Sequence, residues 1–140
     1  QLVVIGSSIQ VLANQHRFEK WGNFPKARDR LFRTIRESGA KGVIFISGDR
    51  HNGEISCDRE SGAGYPLYEV TSSGLTEVSS LREEANSLRL GNLVNTQNFG
   101  AITITWSLPD PVVSLELRDA EGNVRETAGV RLSQLAPPKE

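Results

Sequence analysis

Methionine is absent from the 140 residues, cysteine occurs once, histidine occurs twice, and net charge is close to zero. Each shortage closes something off. The lone thiol, Cys57, cannot form an internal disulfide, so it reads as a small buried side chain and leaves the redox compartment open. No apolar run approaches the roughly 18 residues that a membrane-spanning helix needs. Sixteen basic against seventeen acidic residues give a net charge of −1, which argues against a polyanion-binding protein, so no nucleic-acid specificity is expected. No internal repeat stands out, and the only biased tract is the Pro-Pro-Lys-Glu tail, expected to fray over residues 136–140. With no methionine at position 1 and Gln1-Leu2-Val3-Val4-Ile5 opening directly as a strand, the natural start is expected to lie upstream.

What is present is ordinary soluble composition, 37% hydrophobic and 24% charged, enough for one domain with a core over residues 1–135. The chain is organised around Val43-Ile44-Phe45-Ile46-Ser47-Gly48-Asp49-Arg50-His51-Asn52-Gly53-Glu54. An unbroken apolar run this short suits a strand buried on both faces, and Gly48 lets the backbone turn where it ends. Asp49 and His51, two residues apart, leave an extended backbone on the same side, so one ion could touch both. Zinc takes about four donors and harder cations about six. The other candidates, His16, Cys57 and scattered carboxylates, do not complete a set. Either the remaining ligands come from polypeptide outside this chain, or Asp49 and His51 are not ligands.

In chain order, Leu2–Ile5 reads as a buried strand closing on Gly6-Ser7-Ser8. Residues 13–25 have loop composition, with His16 read as an exposed loop histidine and Trp21 as an anchor against the core. From Pro25 the pattern turns helical: Ala27, Leu31, Phe32 and Ile35 share a face, and Gly39 supplies the stop. Seven basic residues between Arg17 and Arg36 fit a solvated helix face, or else a positive rim that attracts an anionic ligand. Glu54–Cys57 and Pro66–Thr71 read as a hairpin around a glycine-bearing turn. Val78, Leu81, Ala85 and Leu88 have helical spacing over Thr76–Arg89, and Gly91–Asn98 reads as a loop. Ile102, Ile104 and Trp106 alternate with polar residues, as do Val113, Leu115 and Leu117 after a Pro-Asp-Pro turn. These are paired antiparallel strands.

Gly48-Asp49-Arg50-His51 after a buried strand, with Ser7-Ser8-Ile9-Gln10, Trp21-Gly22-Asn23-Phe24-Pro25 and Arg28 upstream and Thr71-Ser72-Ser73-Gly74-Leu75 and Asn98-Phe99-Gly100 downstream, resembles the C-terminal half of the alkaline phosphatase D family. These fragments cover roughly residues 2–119, and their joint order is more specific than any one of them. The resemblance implies an α/β fold: the C-terminal half of a metallophosphatase-like β-sandwich flanked by helices, with a mixed sheet and antiparallel C-terminal hairpins. It implies phosphomonoester or phosphodiester hydrolysis at a dinuclear metal centre of iron, zinc or calcium, with Asp49 and His51 matching the family's late metal-binding pair. One departure is that Ser7 and Ser8 stand where many metallophosphoesterases carry a metal-binding histidine.

Arg50 and Asn52 flank the metal pair and Arg28 falls in a matching motif, which makes these three the candidates for contacts to phosphate oxygens, although Arg50, alternating with Asp49 and His51 on an extended chain, equally fits a side chain that points away. A half-sandwich exposes apolar sheet, so the expected partners are the phosphoester substrate and either an N-terminal half or further copies of the chain. Family members are often exported, to the periplasm or beyond the cell; the residues themselves leave the compartment open. The alternative reading is a noncatalytic binding module, or a complementing subunit, with the same fold.

Overall fold

The computed structural model describes residues 1–81 and 83–138; residues 139–140 of the tail expected to fray lie outside them. Strand β1 (Val3–Gly6) and strand β2 (Val43–Ser47) pair in parallel, Val3 opposite Val43 through Gly6 opposite Ile46. A parallel pair needs a crossover, and the segment holding helix α1 (Pro25–Glu37) provides it. Pro25 opens the helix, where its missing N–H is no loss. Gly39 ends it in the left-handed region, at φ +68°. The helix buries Phe32 and Ile35, and Phe32 meets Phe45 of β2 with ring centroids 6.5 Å apart. Ala27, expected on that face, is exposed.

Strands β3 (Gly53–Asp58), β4 (Leu67–Ser72) and β5 (Arg89–Val94) complete a five-stranded sheet of order β1-β2-β4-β3-β5. Pairing is parallel from β1 through β4 and antiparallel from β4 to β5, so the sheet is mixed. One consequence governs the site. Because β4 lies between β2 and β3, the connection Gly48–Asn52 must step across the end of β4, bringing Ser73 beneath it.

Strands β6 (Asn98–Thr105), β7 (Val112–Asp119) and β8 (Val124–Arg131) form a second, antiparallel sheet. Val113, Leu115 and Leu117 of β7 are fully buried, as the alternation requires. The sheets approach closely at Gly100, where a Cβ would lie 3.1 Å from Val70 Cγ1 and 3.4 Å from Ser72 Cβ. The architecture is α/β, a mixed sheet packed on an antiparallel one, with α1 as the sole α-helix among the described residues.

Several expectations change. The described residues of 76–89 form no helix, and Arg89 already belongs to β5. Side-chain contacts explain this: Glu84 pairs with Arg50, and Asn86 donates to Ser56 Oγ at 2.9 Å, tying the segment down in irregular form. Gly91–Asn98, read as a loop, supplies most of β5 and the first residue of β6. Trp106 lies beyond the end of β6 and is 57% exposed. Strand β1 is only half buried, with Val4 48% exposed, and β2 is buried through Phe45 while Ile46 is 42% exposed.

Candidate functional site

Asp49 and His51 lie on the step between β2 and β3, at the carboxyl end of the parallel strands, and both have left-handed backbone, at φ 65° and 53°. The extended geometry expected from their spacing is therefore replaced by a tight turn. Ser73 Oγ accepts the Arg50 and His51 N–H groups, each at 2.9 Å, and the Ser73 N–H donates to the Asn52 carbonyl at 3.1 Å. The Ser79 N–H donates to the His51 carbonyl at 2.7 Å. With its backbone fixed this way, the turn leaves the Asp49 and His51 side chains exposed, with no hydrogen-bond or ion-pair partner among the described residues.

The flanking candidates are placed differently. Arg50 points inward, 6% exposed, paired with Glu84 and seated 4.2 Å from the centroid of the Phe18 ring. Asn52 is 1% exposed, and neither its amide oxygen nor its amide nitrogen has a partner among the described residues. Arg28 is committed to the strap that follows β1: Nε donates to the Val11 carbonyl at 2.7 Å and Nη2 to that of Leu12 at 3.2 Å. Its guanidinium also lies 4.6 Å from the centroid of the Phe32 ring and 3.8 Å from Asp58. Burial lowers its pKa, with Asp58 the largest opposing influence. The structure thus brings Asp49, Arg50, His51 and Asn52 together on one turn and gives Arg28 a separate, scaffolding set of contacts.

Beneath the turn lies a buried polar framework that the sequence reading missed. Glu69, fully buried on β4, accepts the Val11 and Leu12 N–H groups at 2.8 and 2.7 Å. Burial raises its pKa, against the lowering effect of those two donors. Glu54 on β3 accepts from the Gln10 amide and from Arg89 Nε, the latter at 2.6 Å. The same Gln10 amide nitrogen reaches Thr71 Oγ1 at 2.9 Å, and Thr71 shares a hydrogen bond with Ser47 Oγ. These contacts hold the strap 7–20 across one face of the sheet. A signal existed: Glu54 with Ser56 and Glu69 with Thr71 each repeat at a spacing of two within strands otherwise read as core.

His16 belongs to this strap and is 5% exposed, where an exposed loop histidine was expected. Its Nδ1 accepts the Phe18 N–H at 3.3 Å, which fixes the neutral ring with its proton on Nε2. Desolvation lowers its pKa, helped by Arg50 and Lys20 and opposed by Glu84 and Glu54. Trp21 does anchor the strap, its indole N–H donating to Ser7 Oγ at 3.0 Å.

The opposite face of the sheet is apolar and partly open. A cleft of about 680 Å³ lies along Val4, Ile46, Val70, Leu75, Phe99 and Ile102, and no charged residue lines it. Val4 and Ile46 belong to the two strands at the end of the sheet that β6 and β7 do not cover.

Chemically, the turn offers one carboxylate oxygen and one imidazole nitrogen, neither used internally, with the unpartnered Asn52 amide buried alongside them in the chain. This donor chemistry fits part of a metal site. It falls short of a whole one, since no group of three or more His, Cys, Asp or Glu gathers among the described residues.

The fold and the turn define a mixed-sheet α/β sandwich with a pair of metal-type donors at a strand end. Among solved structures, one described as "Structure of PhoD" matches 91% of this chain with a TM-score of 0.63 and 16% sequence identity. This chain has a PhoD-like fold, and it spans 28% of the length of that structure. No family model matches the sequence, and no curated protein matches it.

Proposed function

We propose that this chain contributes to a metal-dependent phosphoester hydrolase, with Asp49 and His51 as part of a dinuclear site. The observation that carries the reading is the turn itself. Two potential ligands are held in left-handed backbone at the carboxyl end of the sheet, exposed and unspent, within the Gly48-Asp49-Arg50-His51 sequence that resembles the alkaline phosphatase D family. The PhoD-like fold supports it.

Asp49 would hold a cation through a carboxylate oxygen and His51 through a neutral imidazole nitrogen, a pairing suited to iron or zinc, with calcium favouring the carboxylate alone. When bound, such a centre supplies Lewis acidity that polarises the phosphoryl group and neutralises its charge. The chain's own residues orient. Asn52 has a free amide to turn toward a phosphate oxygen or a ligand, while Arg50, paired with Glu84, and Arg28, clamped to the strap, keep the turn and its support in place.

The remaining donors come, on this reading, from polypeptide that covers the open Val4–Ile46 face. That face is uncharged and apolar, and β1 beside it is a terminal strand with one edge unpaired by the described residues. Unfolding of the chain alone that is cooperative and independent of protein concentration, in a proven monomer free of exposed-surface dye binding, would contradict the need for a cover.

The isolated chain, with part of a site, is expected to be inactive, so the test is elemental analysis of the chain joined to the polypeptide that completes its site, and of Asp49→Ala and His51→Ala in the same assembly, with hydrolysis of p-nitrophenyl phosphate and its diester measured on the same samples. Loss of metal and turnover in both variants is expected. Metal content and turnover that survive both substitutions would refute the assignment, and a protein with neither property would be the noncatalytic module.

A further inference from the structure

We propose that Ser73 is a positioning residue that sets the shape of the Asp49–His51 turn and thereby the metal affinity of the pair; the affinity part rests on the function proposed above. The topology makes such a residue necessary. The connection from β2 to β3 steps over the end of β4, and Ser73 is the first residue after β4. Its side chain meets the turn from below, close enough that a Cβ on Gly48 would lie 3.4 Å from Ser73 Cβ.

The hydroxyl is saturated by this one task. Its two lone pairs accept consecutive backbone donors, Arg50 N–H and His51 N–H, both at 2.9 Å, and the Asn52 carbonyl lies 3.5 Å away on its donor side. Consecutive N–H groups converging on one point form a concavity that ordinarily attracts an anion. Here a neutral hydroxyl fills it. The turn's backbone donors are therefore used to hold conformation and are withheld from substrate.

The conformation needs holding. Asp49 and His51 both have positive φ, at 65° and 53°, a region that side-chain-bearing residues enter only at a steric cost. With the two hydrogen bonds in place, the turn displays both side chains outward while Arg50 between them points into the protein. Without them, relaxation of either residue toward negative φ changes where the two donors sit relative to one another. Loss of outer-shell support of this kind typically weakens metal affinity by about 10-fold to 100-fold.

The test uses the whole chain and two readouts. The first, free of any metal, is amide hydrogen exchange at Arg50 and His51. Ser73→Ala is expected to speed exchange at these two amides selectively, while amides in the middle of β4 and β7 keep their protection. The second is titration with Zn²⁺ alone, read by isothermal titration calorimetry. Wild type binds, Asp49→Ala and His51→Ala do not, Ser73→Ala binds about 10-fold more weakly, and Ser73→Thr, which keeps the hydroxyl, recovers most of the affinity.

The outcomes separate the two proposals. Zn²⁺ binding that persists in Asp49→Ala and His51→Ala refutes the site, while exchange still decides whether Ser73 shapes the turn. Binding abolished in those variants but unchanged in Ser73→Ala, or unchanged exchange at Arg50 and His51, overturns the positioning role. Exchange accelerated across the whole sheet in Ser73→Ala also overturns it, because the serine would then be supporting the fold at large.

Discussion

The two faces of the five-stranded sheet invert the usual rule about what lies inside. On the face toward α1 and the strap, the carboxylates of Glu54 and Glu69 are 1% and 0% exposed. On the other, Val4 and Ile46 are 48% and 42% exposed. The difference lies in where each group finds its partner. Buried carboxylates survive because the chain itself supplies donors, two backbone N–H groups for Glu69 and Gln10 with Arg89 for Glu54. Val4 and Ile46 lie on the two strands that β6 and β7 do not cover, and among the described residues they stay open to solvent.

That contrast can be broken at the polar face with the largest effect. Glu69→Ala removes the acceptor of two buried N–H groups and leaves a cavity. It should cost about 2–5 kcal/mol in urea unfolding, and a loss under 1 kcal/mol would mean that the strap is not held as described.

Acid should weaken the same face. The His16 pKa is lowered in the folded state, so below its ordinary value of 6.5 the unfolded chain binds the proton more readily than the folded one. The histidine's contribution is fully present above pH 6.5 and is lost as pH falls from there toward the folded pKa. Glu69, with a raised pKa, imposes an opposite trend, its burial penalty growing as pH rises from its ordinary 4.5 through the folded value. Comparing wild type with His16→Gln isolates the histidine: the difference in their unfolding free energies should change between pH 6.5 and 5.5, and a constant difference would contradict its burial as a neutral ring.

On the apolar face the expected effect on stability is smallest. Ile46→Ser removes a side chain that is already 42% exposed, so unfolding of the chain alone should change by no more than about 0.5–1 kcal/mol. Binding of a hydrophobic dye and self-association should fall together. A substitution that strongly destabilises an isolated monomer would show that Ile46 is core and that the face is complete as it stands.

Much of the scaffold was legible because its signals are local. Pro25 and Gly39 bracket α1, the alternation of Val113, Leu115 and Leu117 marks β7, and Gly48 marks the turn after β2. The parts that were not legible depend on distant partners. Helical spacing over Thr76–Arg89 was overridden by the Glu84–Arg50 pair, the Asn86–Ser56 bond and the pairing of β5 with β3. Trp106 continued an alternation that the strand itself did not. For the site, the sequence indicated which residues share the turn and left Arg50 open to either side, but did not indicate the handedness of the turn. Its path follows from β4 being threaded between β2 and β3, a topological fact with no local signature. The spacing of Glu69 with Thr71 hinted at a polar face, but the partners of Glu69, Val11 and Leu12, lie nearly sixty residues away in sequence.

Anomalous diffraction at the zinc edge, from crystals of this protein grown with Zn²⁺, tests the central claim most directly. The expected result is a peak about 2.0–2.2 Å from an Asp49 carboxylate oxygen and a His51 ring nitrogen, absent in crystals of Asp49→Ala. Zinc found only elsewhere, with both side chains still free in solvent, would contradict the assignment of this turn as a metal site.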